Sequence, residues 1–133
     1  VKRAYQFLKS WDFVEDVDSE AALVFNVIVK NLVFNLYGDE ISLLGDSYLE
    51  AFSGINYLIT RRLREDIKEG KSTWVDDVRT IDKREEIREI IKSSVLDAVS
   101  EMDQKFGGNW SNWKWGDAHS LMHKHLFYKN MSI

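Results

Sequence analysis

Apolar residues recur at intervals of three and four along most of the chain, the spacing of helices that bury one side. Residues 1–11 carry Tyr5, Phe7, Leu8 and Trp11 as an apolar face and read as a short helical start. A turn over 12–18 follows, and Asp18 or Ser19 can cap the next helix. In 21–37 the apolar residues point almost all ways, so this helix is expected to be buried on most sides, ending at Gly38-Asp39. Ser47 and Glu50 form a capping-box pattern. The helix it opens has Leu49, Phe52, Ile55, Ile59 and Leu63 on one stripe, charged last turns over 61–68, and a break at Gly70. After a polar connection around Trp74 and Val75, Asp82 and Glu85 make a second capping box. The long helix behind it shows Ile87, Ile91, Val95, Ala98, Met102 and Phe106 on one side, and Gly107-Gly108 ends it. From Asn109 the periodicity stops, and the aromatic, His-rich remainder reads as extended or irregular.

The expected fold is therefore all-α: three long helices, a short N-terminal one, and a non-helical tail. It divides into a helical domain over 1–108 and a C-terminal tail over 109–133. The complete absence of proline suits long helices. A net charge of −4 argues against nucleic acid and against an anionic membrane surface as partners. The 21–37 stretch is too short and, with Asn26, Lys30, Asn31 and Asn35, too polar to span a membrane, and reads as a core helix. Without cysteine there is no disulfide or thiolate site.

Candidate chemistry is sparse. His119, His123 and His125 fall at i, i+4 and i+6. On a helix the first two share a face and can grip zinc, but neither an HExxH arrangement nor a cysteine accompanies them, and structural or surface histidine is the plainer reading. Asp76-Asp77, with Asp82 nearby, reads as an acid/base pair, a calcium loop or a solvated cap, and EF-hand spacing is absent. Ser111 and His119 show no nucleophile elbow. Gly107-Gly108 follows a helix instead of preceding one, so it is no phosphate cradle. Trp110, Trp113 and Trp115 stand within six residues. They suit a stacking platform for a flat ligand or plain burial. No residue is singled out as catalytic, cofactor-binding or metal-ligating.

The same string carries a resemblance. Trp113-x-Trp115-Gly116-x-x-His119, with His125 beyond it, resembles the signature near the C-terminal end of the penicillin amidase (penicillin and cephalosporin acylase) family. Phe7-Leu8-Lys9-Ser10-Trp11-Asp12 is similar to the Leu-x-x-Trp-Asp step that opens that family's helical β-chain region. Ser19-Glu20-Ala21-Ala22-Leu23-Val24-Phe25 is similar to the helix start after it. Trp74-Val75-Asp76-Asp77-Val78-Arg79-Thr80 resembles its Trp-Phe-Asp-Asp segment, and Phe106-Gly107-Gly108 leads into the Trp string. These marks keep the family's order over nearly the whole chain. Two positions depart: Phe13 stands where a glycine commonly follows Trp-Asp, and Leu126 where a proline follows the histidine.

The resemblance implies a hydrolase of linear amide C–N bonds that removes acyl side chains from β-lactams or related amides. Its nucleophile is a serine freed by self-cleavage, with its own α-amino group as base. A backbone amide and an Asn side chain form the oxyanion hole. Those parts, and the calcium site of some members, lie upstream of the matched region. The chain is thus expected to be a structural fragment, inactive alone, whose partner is the rest of the parent acylase. Trp113, Trp115 and His119 are expected to serve the strand that re-enters the catalytic core. An isolated fragment is expected to expose apolar surface and self-associate as a homodimer. Export to the periplasm is the family habit. The alternative is a free-standing helical interaction module that holds a partner through its Trp-rich tail.

Overall fold

The structure, a computed structural model, describes residues 2–55, 59–70 and 72–119. It is all-α, with no strand among the described residues. Helix α1 spans Lys2–Ser10, α2 Glu20–Ser42, α3 Asp46–Ile55, α4 Thr60–Glu69, α5 Ile87–Phe106 and α6 Trp115–Ala118. Single 3-10 turns lie at Thr73–Val75 and Trp110–Asn112.

Everything leans on α2, which packs against α1, α3, α5, α6 and both 3-10 turns. Ser19 starts it as expected: its side chain accepts a hydrogen bond from the Ala22 amide at 3.1 Å, satisfying an orphan donor of the first turn. The expected stop at Gly38-Asp39 does not occur. Gly38, Asp39 and Tyr37 are all buried, and the helix continues to Ser42. Tertiary burial outweighs the helix-breaking tendency of one glycine, which is worth only about 1 kcal/mol. Gly45, at φ 110°, follows the actual end. At 23 residues α2 has the length and apolar content of a membrane span. Its apolar residues are nonetheless core residues: Leu23, Val24, Ile28, Leu32, Val33 and Leu36 are buried within the protein.

The polar residues that interrupt α2 face α5 across a seam. Asn31 donates to Glu101 at 3.0 Å, Asn35 to Asp97 at 2.8 Å and to Ser94 at 3.1 Å, and Lys30 pairs with Glu101. Going up α2 by four residues, from 31 to 35, goes down α5 by four, from 101 to 97. That register fixes the two helices antiparallel. Burial works to raise the Glu101 carboxyl, but Lys30 and Asn31 hold it below its ordinary range. On α5 the buried line is Ile90, Ser94, Ala98 and Met102. Small side chains at its centre let the helices approach closely. Of the expected stripe, Ala98 and Met102 are buried, while Ile87, Ile91, Val95 and Phe106 are half-buried at its edge.

Three helix starts differ from expectation. α5 begins at Ile87, capped by a box of Glu86 and Glu89 and not by Asp82 and Glu85. Glu85 is instead turned back, accepting from the Asp77 amide at 3.1 Å and from the Thr80 hydroxyl. α3 begins one residue before Ser47, at Asp46, so Ser47 lies inside the first turn. The single helix expected from there to Gly70 is two, α3 and α4. Gly54, a weak helix former, sits in the last turn of the first. Phe52, Ile59 and Leu63 still meet in one apolar cluster, as their spacing suggested. In α1 the buried residue is Ala4, while Tyr5 is exposed because it points away from α2.

Two apolar clusters result. One joins Ala4, Leu23, Val24, Ile28, Ala98, Met102, Trp110 and Trp113. The other joins Leu32, Val33, Leu36, Tyr37, Phe52, Leu63, Val75 and Ile90. The described part of the tail is not extended. It closes over the first cluster as two short helical turns.

Candidate functional site

The Trp string is a piece of this core. Trp113 is 0% exposed, and its indole N–H donates to the Gly107 carbonyl at 2.8 Å. A buried indole with its one donor satisfied is the stable arrangement for Trp. Trp110 is covered on both faces: Trp113 stacks on it at 4.1 Å between centroids and Phe7 at 5.9 Å, and the Arg3 guanidinium lies 5.1 Å from its ring. The Trp115 amide donates to Ser19, and the Gly116 amide to Val17 at 2.8 Å. His119 stacks on Trp115 at 4.7 Å and is itself exposed. His123 and His125 lie outside the described residues. A platform for a flat ligand needs open ring faces, and Trp110 and Trp113 have none. Burial is the reading that holds.

The glycines of the string have physical reasons. A Cβ on Gly116 would sit 3.1 Å from the Val17 side chain and carbonyl, so any larger residue there has to push Val17 back. Gly107, at φ 79° and ψ 168°, occupies a region essentially reserved for glycine, and its carbonyl there meets Trp113.

A second group of side chains was only half visible in the sequence. Asp39, near the end of α2, is buried and accepts from the Val78 amide at 2.8 Å, tying the 72–80 connection to the helix. Beside it Glu40 is pushed up to about 7, by burial first and then by its hydrogen bond with Asp39. Glu40 Oε2 and Asp76 Oδ1 are buried without a hydrogen-bond partner among the described residues. Both oxygens of Asp77 accept from one edge of the Arg79 guanidinium, Nε and Nη2, at 2.7 Å, which holds the carboxyl below the usual carboxylate range. Asp82 is exposed, away from these bonds. The tie between the connection and α2 is therefore the Asp39–Val78 bond, while Asp77 is held within the connection by Arg79 and Glu85. A carboxyl titrating near 7 suits acid/base work, but a covalent mechanism also needs a nucleophile within reach, and Glu40 Oε2 contacts none among the described residues. No group of three or more His, Cys, Asp or Glu side chains able to hold a metal occurs among the described residues.

The third group is Asp66, 0% exposed on α4. It accepts from the Tyr37 hydroxyl at 2.7 Å and from Arg62 at 2.6 and 3.1 Å. Burial opposes its charge, but Tyr37, Ser72 and Arg62 outweigh that and keep it ionised. Burial in turn pushes the Tyr37 phenol up. With all partners satisfied, this is a structural clasp between α2 and α4. A capping residue or a solvated charge would look the same in sequence, so nothing marked Asp66 beforehand.

These groups define a helical packing unit: a Trp-closed core with latched loops. The penicillin amidase family model matches residues 1–133, and the chain belongs to the penicillin amidase family. No curated protein and no solved structure matches it. Phe13, where the resemblance has glycine, adopts φ 65°, the left-handed conformation that glycine takes without penalty.

Proposed function

We propose that this chain is a structural helical segment of a penicillin amidase-like hydrolase acting on linear amide C–N bonds. It supplies no catalytic residue and works together with the catalytic part of the acylase. The family match over the whole chain carries this reading. The buried Trp string supports it. The motif that marks the family serves here to close the core through Trp110 and Trp113. β-lactam side-chain amides and related acyl amides are the substrate class.

The test is to read the gene on the 5′ side of the Val1 codon and to assay the purified chain on a chromogenic acyl anilide. An open frame holding a small residue followed by Ser at a self-cleavage junction, with no hydrolysis by the chain alone, supports the proposal. A start signal beside Val1, or turnover by the isolated chain, overturns it. The tail-mediated interaction module is disfavoured, because Trp110 and Trp113 have no free faces to offer.

A further inference from the structure

A groove of about 830 Å³ runs between α1, α2 and α4. Leu8, Phe25, Val29, Leu32, Leu63 and Ile67 make its apolar lining. Arg64 and Lys68, one helical turn apart on α4, stand on its edge. Both are exposed, and neither pairs with a carboxylate among the described residues, whereas the neighbouring Arg61 and Arg62 are each paired. Phe25 of the lining meets Trp11 at 5.1 Å, and Trp11 meets Phe13 at 5.4 Å. Phe13 is 80% exposed although its backbone is in the left-handed region. A large aromatic kept in a disfavoured conformation, and facing water, is a local cost without a folding return. The apolar floor and the unpaired cations line one groove, and ring contacts run outward from its Phe25 to Trp11 and Phe13.

We propose that this surface docks an acidic amphipathic segment of a partner polypeptide, apolar side chains in the groove and carboxylates against Arg64 and Lys68. Charge selects this occupant over the others. A second copy meeting groove to groove offers the same lining, which contains Arg64 and Lys68 and no carboxylate to answer them. The chain's own residues 120–133 contain Lys124 and Lys129 and no acidic residue. An apolar segment carrying Asp or Glu at its flanks satisfies both the floor and the edge. This goes beyond the proposed hydrolase role and does not depend on it.

The test uses the full 133-residue chain and two synthetic helical peptides with the same leucine face, one flanked by glutamates and one by lysines. Fluorescence anisotropy at low salt is expected to give about tenfold tighter binding of the glutamate peptide, weakening as salt rises. The double variant Arg64→Glu, Lys68→Glu is expected to invert the preference, with its thermal melt lowered only slightly by the lost cation in the last turn of α4. Phe13→Ser is expected to weaken binding of the glutamate peptide. Equal binding of both peptides, binding of neither, a preference retained in the double variant, or a dimer closed to both peptides overturns the proposal. If the double variant fails to fold, the salt dependence of the unaltered chain decides alone: salt-independent binding overturns it.

Discussion

The Val17 carbonyl accepts the Gly116 amide at 2.8 Å, and Val17 itself already holds the space, 3.1 Å away, that a Cβ on Gly116 would need. Gly116→Ala therefore gains helix propensity but must displace backbone, and the steric loss wins. The expected result is a destabilisation of about 1–2 kcal/mol, read as a lower urea midpoint. Gly108→Ala, where a Cβ would meet nothing within 4 Å, is the matched control and should move the midpoint little.

Phe13 predicts the opposite sign. Its side chain buries little, and its φ of 65° disfavours any residue with a Cβ. Phe13→Gly should raise stability by about 0.5–1 kcal/mol, and Phe13→Val, branched at Cβ, should lower it. A fall with Gly in thermal unfolding would show that the Trp11 contact outweighs the backbone term.

Trp113→Ala removes a fully buried indole and strands the Gly107 carbonyl. A loss of about 3–5 kcal/mol is expected. Trp115→Ala, half-buried against the same cluster, should cost clearly less. Comparable losses in denaturant titrations would mean that the stacking on His119 matters more than burial.

Glu40 gives a pH dependence. Its carboxyl is raised from 4.5 to about 7 in the folded chain, so the folded state holds a proton that the unfolded state has released. Its contribution is fully present below pH 4.5 and is lost as pH rises through 7. Glu40→Gln keeps the neutral shape. The variant should gain on the native chain between pH 5 and 8, on the order of 1 kcal/mol after solvent screening. Asp77 and Glu101, both lowered, act the other way, losing stability as pH falls. Only the difference between variant and native chain isolates Glu40. A difference that stays flat with pH would show that Glu40 is not protonated near neutrality.

The helices were legible because their signals are local. The all-α class, the Ser19 cap, the meeting of Phe52 with Leu63, and the burial of Ala98 and Met102 follow from spacing and capping alone. What escaped depends on partners far along the chain. Gly38 reads as a stop because nothing nearby shows Asp39 accepting from Val78, 39 residues on. Glu85 reads as a cap partner because its bonds to Asp77 and Thr80 are set by a turn, not by a helix. Asn31 and Asn35 look like flaws in an apolar helix until Glu101 and Asp97 lie opposite. The Trp string was legible as a family mark, but its geometry, two stacked indoles under a glycine-only turn, was not. Phe13 was visible as a departure, and its consequence only as a backbone angle.

The central position of α2 also sets the timing of folding on the ribosome. Lys30 must wait for Glu101, 71 residues later, and Asp18 for Lys114, 96 residues later. At ordinary rates of synthesis that leaves the most apolar helix of the chain without its main cover for on the order of 10 s. A nascent chain in this interval presents a long apolar helix that has α1, α3, α4 and the 73–75 turn to pack on but lacks the cover of α5. Such a helix is the kind of surface that trigger-type chaperones shield and that clumps when expression outruns them. Slowing initiation or lowering the growth temperature should therefore improve soluble yield more than any change to the exposed charges.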